Sequence, residues 1–165
     1  MNFYNYTSNW IKGELFESKI IFAFGLFAFI VGFLFWKIGE TPNAKALFYP
    51  LLFTSLIYGG LGASMYISNQ KRIVEFEKEY KLDNQKFVQK EKQRVESFQY
   101  QYKISKIVAT ICFLATLLIF WTTKNATWQG VGLGLTIFGV IGLMVDYFSE
   151  ERASIYYKHI LETSG

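Results

Sequence analysis

The sequence predicts an all-α membrane protein. Four transmembrane helices form two tandem helical hairpins, related as a parallel repeat, with helical extensions into the cytosol. Three observations predict it: four long apolar blocks, a Lys/Arg distribution concentrated between the second and third of them, and similar short strings about 80 residues apart. Of 165 residues, 52% are hydrophobic, 19% aromatic and 18% charged, against about a quarter charged for a soluble domain. Such a composition excludes intrinsic disorder, which requires low hydrophobicity and high net charge. It also argues against a soluble globule, because so short a chain has too little other material to cover four all-apolar helices.

The blocks are residues 20–36, 46–67, roughly 104–122 and roughly 128–148. A spanning helix needs about 20 mostly apolar residues, with a range of about 17–25. The first two blocks meet this directly, and the last two meet it with their flanks.

Residues 1–18 precede the first span. Trp10, Ile11, Leu15 and Phe16 are interspersed with Lys12, Glu14 and Glu17, which reads as an amphipathic helix lying at the inner interface. A frayed tail is the alternative. No small-residue cleavage site follows the first block, so it is expected to stay as a helix rather than be removed as a signal peptide. Gly39, Pro42 and Asn43 mark a first outer turn, and Lys124-Asn125 a second. Residues 19–68 and 104–148 are then the two hairpins.

The segment 69–103 reads as a helical stalk. Ile73, Phe76 and Tyr80, and again Val95, Phe98 and Tyr102, stand three and four apart, with a turn and a candidate cap at Leu82-Asp83-Asn84. Residues 149–165 continue the fourth span as a C-terminal helix. Ten of the seventeen Lys/Arg fall between Asn69 and Lys106. The positive-inside rule therefore places both termini and the stalk in the cytosol, with Trp36, Trp121 and Trp128 at the outer interface. A bacterial inner membrane is the expected location.

The two hairpins resemble each other. Ile57-Tyr58-Gly59-Gly60-Leu61-Gly62 matches Ile137-Phe138-Gly139-Val140-Ile141-Gly142, and Arg72 and Phe76 match Arg152 and Tyr156 at the same offset of 80. Ser18-Lys19-Ile20 matches Ser105-Lys106-Ile107, and Phe35-Trp36 matches Phe120-Trp121, at offsets of 87 and 85. Both halves start inside, so the pseudo-twofold axis runs along the membrane normal.

Small residues let helices approach closely in lipid. Gly59, Gly62, Gly130, Gly134, Gly139 and Gly142 are the candidate packing positions, within one bundle or between copies. Gly130-x-Gly-x-Gly is not a nucleotide loop, because no strand precedes it. Ionisable groups are scarce in the spans. Asp146 enters one, with Glu150, Arg152 and His159 following and Arg72 as a second possible partner. These five form a candidate polar cluster. A metal or acid–base role is conceivable for such residues, but the spacing matches no ligand motif, and an Asp146 pair with Arg152 or Arg72 is the plainer expectation. Cys112 is the single cysteine, so no disulfide or thiolate metal site is expected. No cofactor is called for. The basic run is interleaved with acids and is not read as a nucleic-acid surface.

The expected function is non-enzymatic. The chain would self-associate or scaffold a complex in the lipid bilayer, with copies of itself or a protein partner docking at the stalk. A homo-oligomeric channel is the alternative: several unrelated large-pore channel families share this topology, without a shared motif. An inner-surface membrane enzyme ranks last.

Overall fold

The structure, a computed structural model, describes residues 3–164. Its elements are α1 (Phe3–Ile38), α2 (Pro42–Ala46), α3 (Phe48–Leu82), α4 (Asn84–Thr122) and α5 (Ala126–Ser164). The chain is all-α, and its four long helices are long and apolar enough to cross a membrane.

Each helix boundary has a local cause. The Gly39 N–H bonds the Phe35 carbonyl (3.0 Å) and closes α1. Thr41 then caps α2, its hydroxyl accepting from the Ala44 N–H at 3.2 Å, with Pro42 in the first turn. Asp83 separates α3 from α4 in an extended conformation. Its N–H bonds the Glu79 carbonyl (3.1 Å), and its carboxylate accepts from the Lys86 N–H (3.0 Å). Asn125 caps α5 through the N–H groups of Thr127 (2.9 Å) and Trp128 (3.3 Å).

α1 packs along α3 and α4 along α5, with smaller contacts of α5 on α1, α2 and α3. The α1–α3 pairing is backbone against backbone. A Cβ at Gly25 would stand 2.7 Å from Gly59 Cα, and one at Gly62 would stand 2.5 Å from Phe22 N. Across the hairpins, a Cβ at Gly134 would press on the Pro50 ring and one at Gly130 would stand 3.0 Å from Ala46. α3 and α4 meet near the turn joining them, where Phe87 packs edge-on against Phe76 (5.4 Å) and Tyr80 (5.7 Å).

Two cores result. Phe3, Trp10, Ile11, Phe76, Phe87, Val88, Val95, Tyr156 and Ile160, from all four long helices, form the centre of a charged bundle at the end holding both chain termini. Ile21, Tyr58 and Ile141 form a smaller one in the apolar half. There the outer faces are open: Phe27, Leu56 and Leu117 are 64–67% exposed.

Residues 3–18 are helical and form the first half of α1, which runs unbroken into the first apolar block. Trp10 and Ile11 are buried against protein. The Trp10 ring stacks on Phe98 and Tyr156, while Phe16 is 65% exposed.

Candidate functional site

Each long helix brings polar side chains to the inside of the charged bundle. Glu14 and Glu17 of α1 are one turn apart, as are Ser149 and Arg152 of α5, Glu91 and Arg94 of α4, and Asn69 and Arg72 of α3; such spacing puts each pair on one face. The Arg152 guanidinium bonds both Glu17 and Glu14, the latter at 3.1 Å. Ser149 donates to Glu17 at 3.0 Å. Arg94 grips Glu91 with two bonds of 2.7 and 2.6 Å and lies over the Trp10 ring, 4.4 Å from its centre. The Tyr156 hydroxyl donates to Glu91 at 2.8 Å and lies 2.9 Å from the Thr7 hydroxyl.

Burial dominates the electrostatics. It raises Glu14 above the usual carboxylate range, against the lowering effect of Arg152, Arg94 and Arg72. Burial also lowers Arg72, and the neighbouring Arg94 charge lowers it further. The Tyr156 phenol is pushed well above its ordinary value by burial and by Glu91. Tyr102 is pushed up to about 12, chiefly by burial, and stays protonated.

Beyond their shared turn, α3 and α4 part, and a cavity of about 680 Å³ opens between them. At its charged end are Arg72, Arg94, Trp10 and Glu14; in the middle are Tyr102, Ser105 and Asp146; at the apolar end are Tyr58, Leu61, Met65, Val108 and Phe138. From Arg72 to Tyr58 is fourteen residues of α3, about 21 Å of helix. Cavities of this size suit small molecules, and this one joins cations and hydrogen-bond donors to an apolar trough.

The five residues expected to form one polar cluster do not converge. Asp146 and Arg72 line the cavity, but Asp146 pairs with neither arginine, and its Oδ2 is buried without a hydrogen-bond partner among the described residues. Arg152 is held by α1. Glu150 pairs with Lys106 (2.6 Å) on the surface. His159 stacks on Tyr6, with 3.8 Å between ring centres, and lies 3.1 Å from Glu162. Among the described residues no three His, Cys, Asp or Glu are grouped as metal ligands. Of the candidate glycines, Gly62, Gly130, Gly134, Gly139 and Gly142 each face another residue of the same chain. Gly59 offers its backbone to Gly25, while the space of its own Cβ is open.

Sequence reasoning missed Glu14, Glu17, Glu91 and Ser149. A signal was available for the first two. They fall on the same three-and-four spacing as Phe3, Thr7, Trp10, Ile21, Gly25, Ala28 and Gly32, the buried stripe of α1. No protein-family model, curated protein or solved structure matches this chain, which leaves its own residues as the ground for a function.

Proposed function

We propose that the chain is a non-enzymatic integral membrane protein that binds an amphipathic membrane molecule between α3 and α4. The observation that carries this reading is the cavity of about 680 Å³ that crosses from the charged bundle into the apolar half. The four helices span, with the charged bundle and both termini in the cytosol. The Lys/Arg excess in 69–106 supports that orientation, and a bacterial inner membrane is the proposed location. The hairpins are a tandem repeat about an axis along the membrane normal. Tyr58 and Phe138, equivalent at the offset of 80, support this: the Tyr58 hydroxyl donates to the Phe138 carbonyl at 2.7 Å, as partners beside a twofold axis would.

Native mass spectrometry of the protein released from lipid nanodiscs tests the binding reading. Lipid retained at energies that strip the annular shell is expected; a bare chain refutes it. In a Cys112→Ser background, an impermeant maleimide should label Asn43→Cys but not Lys86→Cys in intact cells; the reverse pattern refutes the orientation.

Self-association is the second reading. Gly59 and Gly60 are the positions that favour it, because nothing within 4 Å fills the space of a Cβ there. A protein partner would dock on the bundle's outer face, where Lys78 and Lys92 lie. The same spectrum reads copy number. A channel would need rings contributed by several copies, because Thr54, Ser55 and Thr110 direct their hydroxyls at carbonyls of their own helices and Thr116 bonds carbonyls of α4 and α5 within the chain.

A further inference from the structure

We propose that the occupant of the α3–α4 cavity is an anionic phospholipid, its phosphate seated at Arg72, Arg94 and Trp10 and its acyl chain running between α3 and α4. The proposal rests on the binding reading above and adds the chemistry of the ligand.

The charged end of the cavity holds cations and a donor with capacity to spare. Arg72 is partly buried, and its one described hydrogen bond goes to Asn69 Oδ1 (3.0 Å) on its own helix. No carboxylate comes within ion-pair distance of it among the described residues. A guanidinium carries five N–H donors in a planar fork suited to phosphate oxygens. Arg94 faces the same space. Although Glu91 holds it, its charge still bears on Arg72. Trp10 adds an indole N–H that is buried without a partner, in a residue only 6% exposed. Buried donors are almost always satisfied, and a phosphate oxygen at this place would satisfy the indole and the guanidiniums together.

Glu91, Glu14 and Glu75 also act on Arg72, but none is within ion-pair distance of it among the described residues, so its donors stay open to a phosphate. Glu14 is bonded to Arg152 at 3.1 Å. Asp146 precedes Arg152 by six residues, about 9 Å of α5 toward the apolar half, away from the Glu14–Arg152 pair. Farther down, Leu61 and Val108 line the trough and are 50% and 42% exposed. A phosphate head with one of the lipid's acyl chains in the trough satisfies both ends, whereas a soluble phosphate ester leaves the trough unfilled.

The test is competitive retention. The full chain in nanodiscs of phosphatidylglycerol and phosphatidylcholine in equal amounts is released into the mass spectrometer. The parent is expected to retain phosphatidylglycerol over phosphatidylcholine by about tenfold, one decade for a charge-assisted contact. Arg72→Met should abolish the preference while neutral lipid is still held. Val108→Trp, which fills the trough, should lose both lipids, and it decides the matter if Arg72→Met fails to fold. Equal retention by the parent, or a preference unchanged in Arg72→Met, overturns the headgroup assignment and leaves the cleft reading standing. Phosphatidylglycerol retained as before in Val108→Trp places the lipid elsewhere and overturns the proposal. Retention of no lipid sinks both readings. As a last arm, glycerol phosphate alone at millimolar concentration should leave the thermal midpoint in detergent unmoved. A shift equal to that given by phosphatidylglycerol would make the ligand a soluble phosphate ester instead.

Discussion

Replacing Arg152 by methionine removes the cation that Glu14 and Glu17 share. The two carboxylates are 12% and 7% exposed, and the guanidinium between them 29%. Taking away one partner of a buried ion pair costs about 3–5 kcal/mol, because a charge is left without compensation. For a chain of this size each kcal/mol moves the unfolding midpoint by about 2–4 °C, so the expected drop is about 6–20 °C near neutral pH. The single cysteine supplies the assay. Cys112 is buried at 8% exposure, and a maleimide dye that fluoresces on reaction reports its release on heating in detergent. The pH dependence has a definite sign. Burial raises the folded-state pKa of Glu14, so the folded chain binds that proton more tightly than the unfolded chain. Its contribution to stability is therefore fully present below the unfolded value and is lost as pH rises through the folded one. Without Arg152 to oppose burial the slope steepens. Acidifying Arg152→Met from about pH 7.5 to about pH 5.5 should recover part of the loss. Adding Glu14→Gln and Glu17→Gln should recover most of it at neutral pH. A midpoint for Arg152→Met within about 2 °C of the parent, under one kcal/mol on this scale, would refute the reasoning.

Other substitutions separate the packing contributions. Gly62→Ala places a Cβ 2.5 Å from Phe22 N and is expected to lower the midpoint by the equivalent of about 1–3 kcal/mol of overpacking. Gly60→Ala, which meets nothing within 4 Å, should be neutral or gain up to about 1 kcal/mol of helix propensity; equal effects from the two would contradict the helix pairing. Tyr58→Phe loses the bond to the Phe138 carbonyl and should cost about 0.6 kcal/mol, at most about 1.7, as bonds between apolar helices do; the same dye assay reads it. Asp83→Ala removes the cap of α4 at a cost of about 1 kcal/mol, seen as faster hydrogen exchange at the Lys86 and Phe87 amides.

Local features were legible because they depend on local causes. Apolar length is a property of composition. The breaks at Gly39-Pro42, Asp83 and Asn125 follow from what those side chains and backbones do within three residues. α2 escaped notice because five residues carry no periodicity, even though Thr41 and Pro42 are a start signal. Glu14 and Glu17 escaped notice as site residues because a charged residue between apolar ones on a helix looks the same whether it meets water or an arginine on another helix. The spacing with Thr7, Trp10, Ile21 and Gly25 tells these apart only when the whole stripe of α1 is considered at once.

By itself the sequence determined four membrane-capable helices, the breaks between them near Gly39, Asp83 and Asn125, and the segregation of charge to one end of the chain's helices. Hydrophobic length, capping chemistry and proline or glycine breaks are short-range physics and need no knowledge of neighbours. The tertiary structure alone decided the partners. Arg152 is held by Glu14 and Glu17, more than 130 residues away in the chain, and not by Asp146, six residues before it. Gly62 is covered while Gly60 is open. α1 takes α3 and α5 takes α4 as their main neighbours, leaving between α3 and α4 the gap that forms the cavity. Ion pairing and close packing reward whichever group arrives at about 3 Å, and that is set by how whole helices lie against one another.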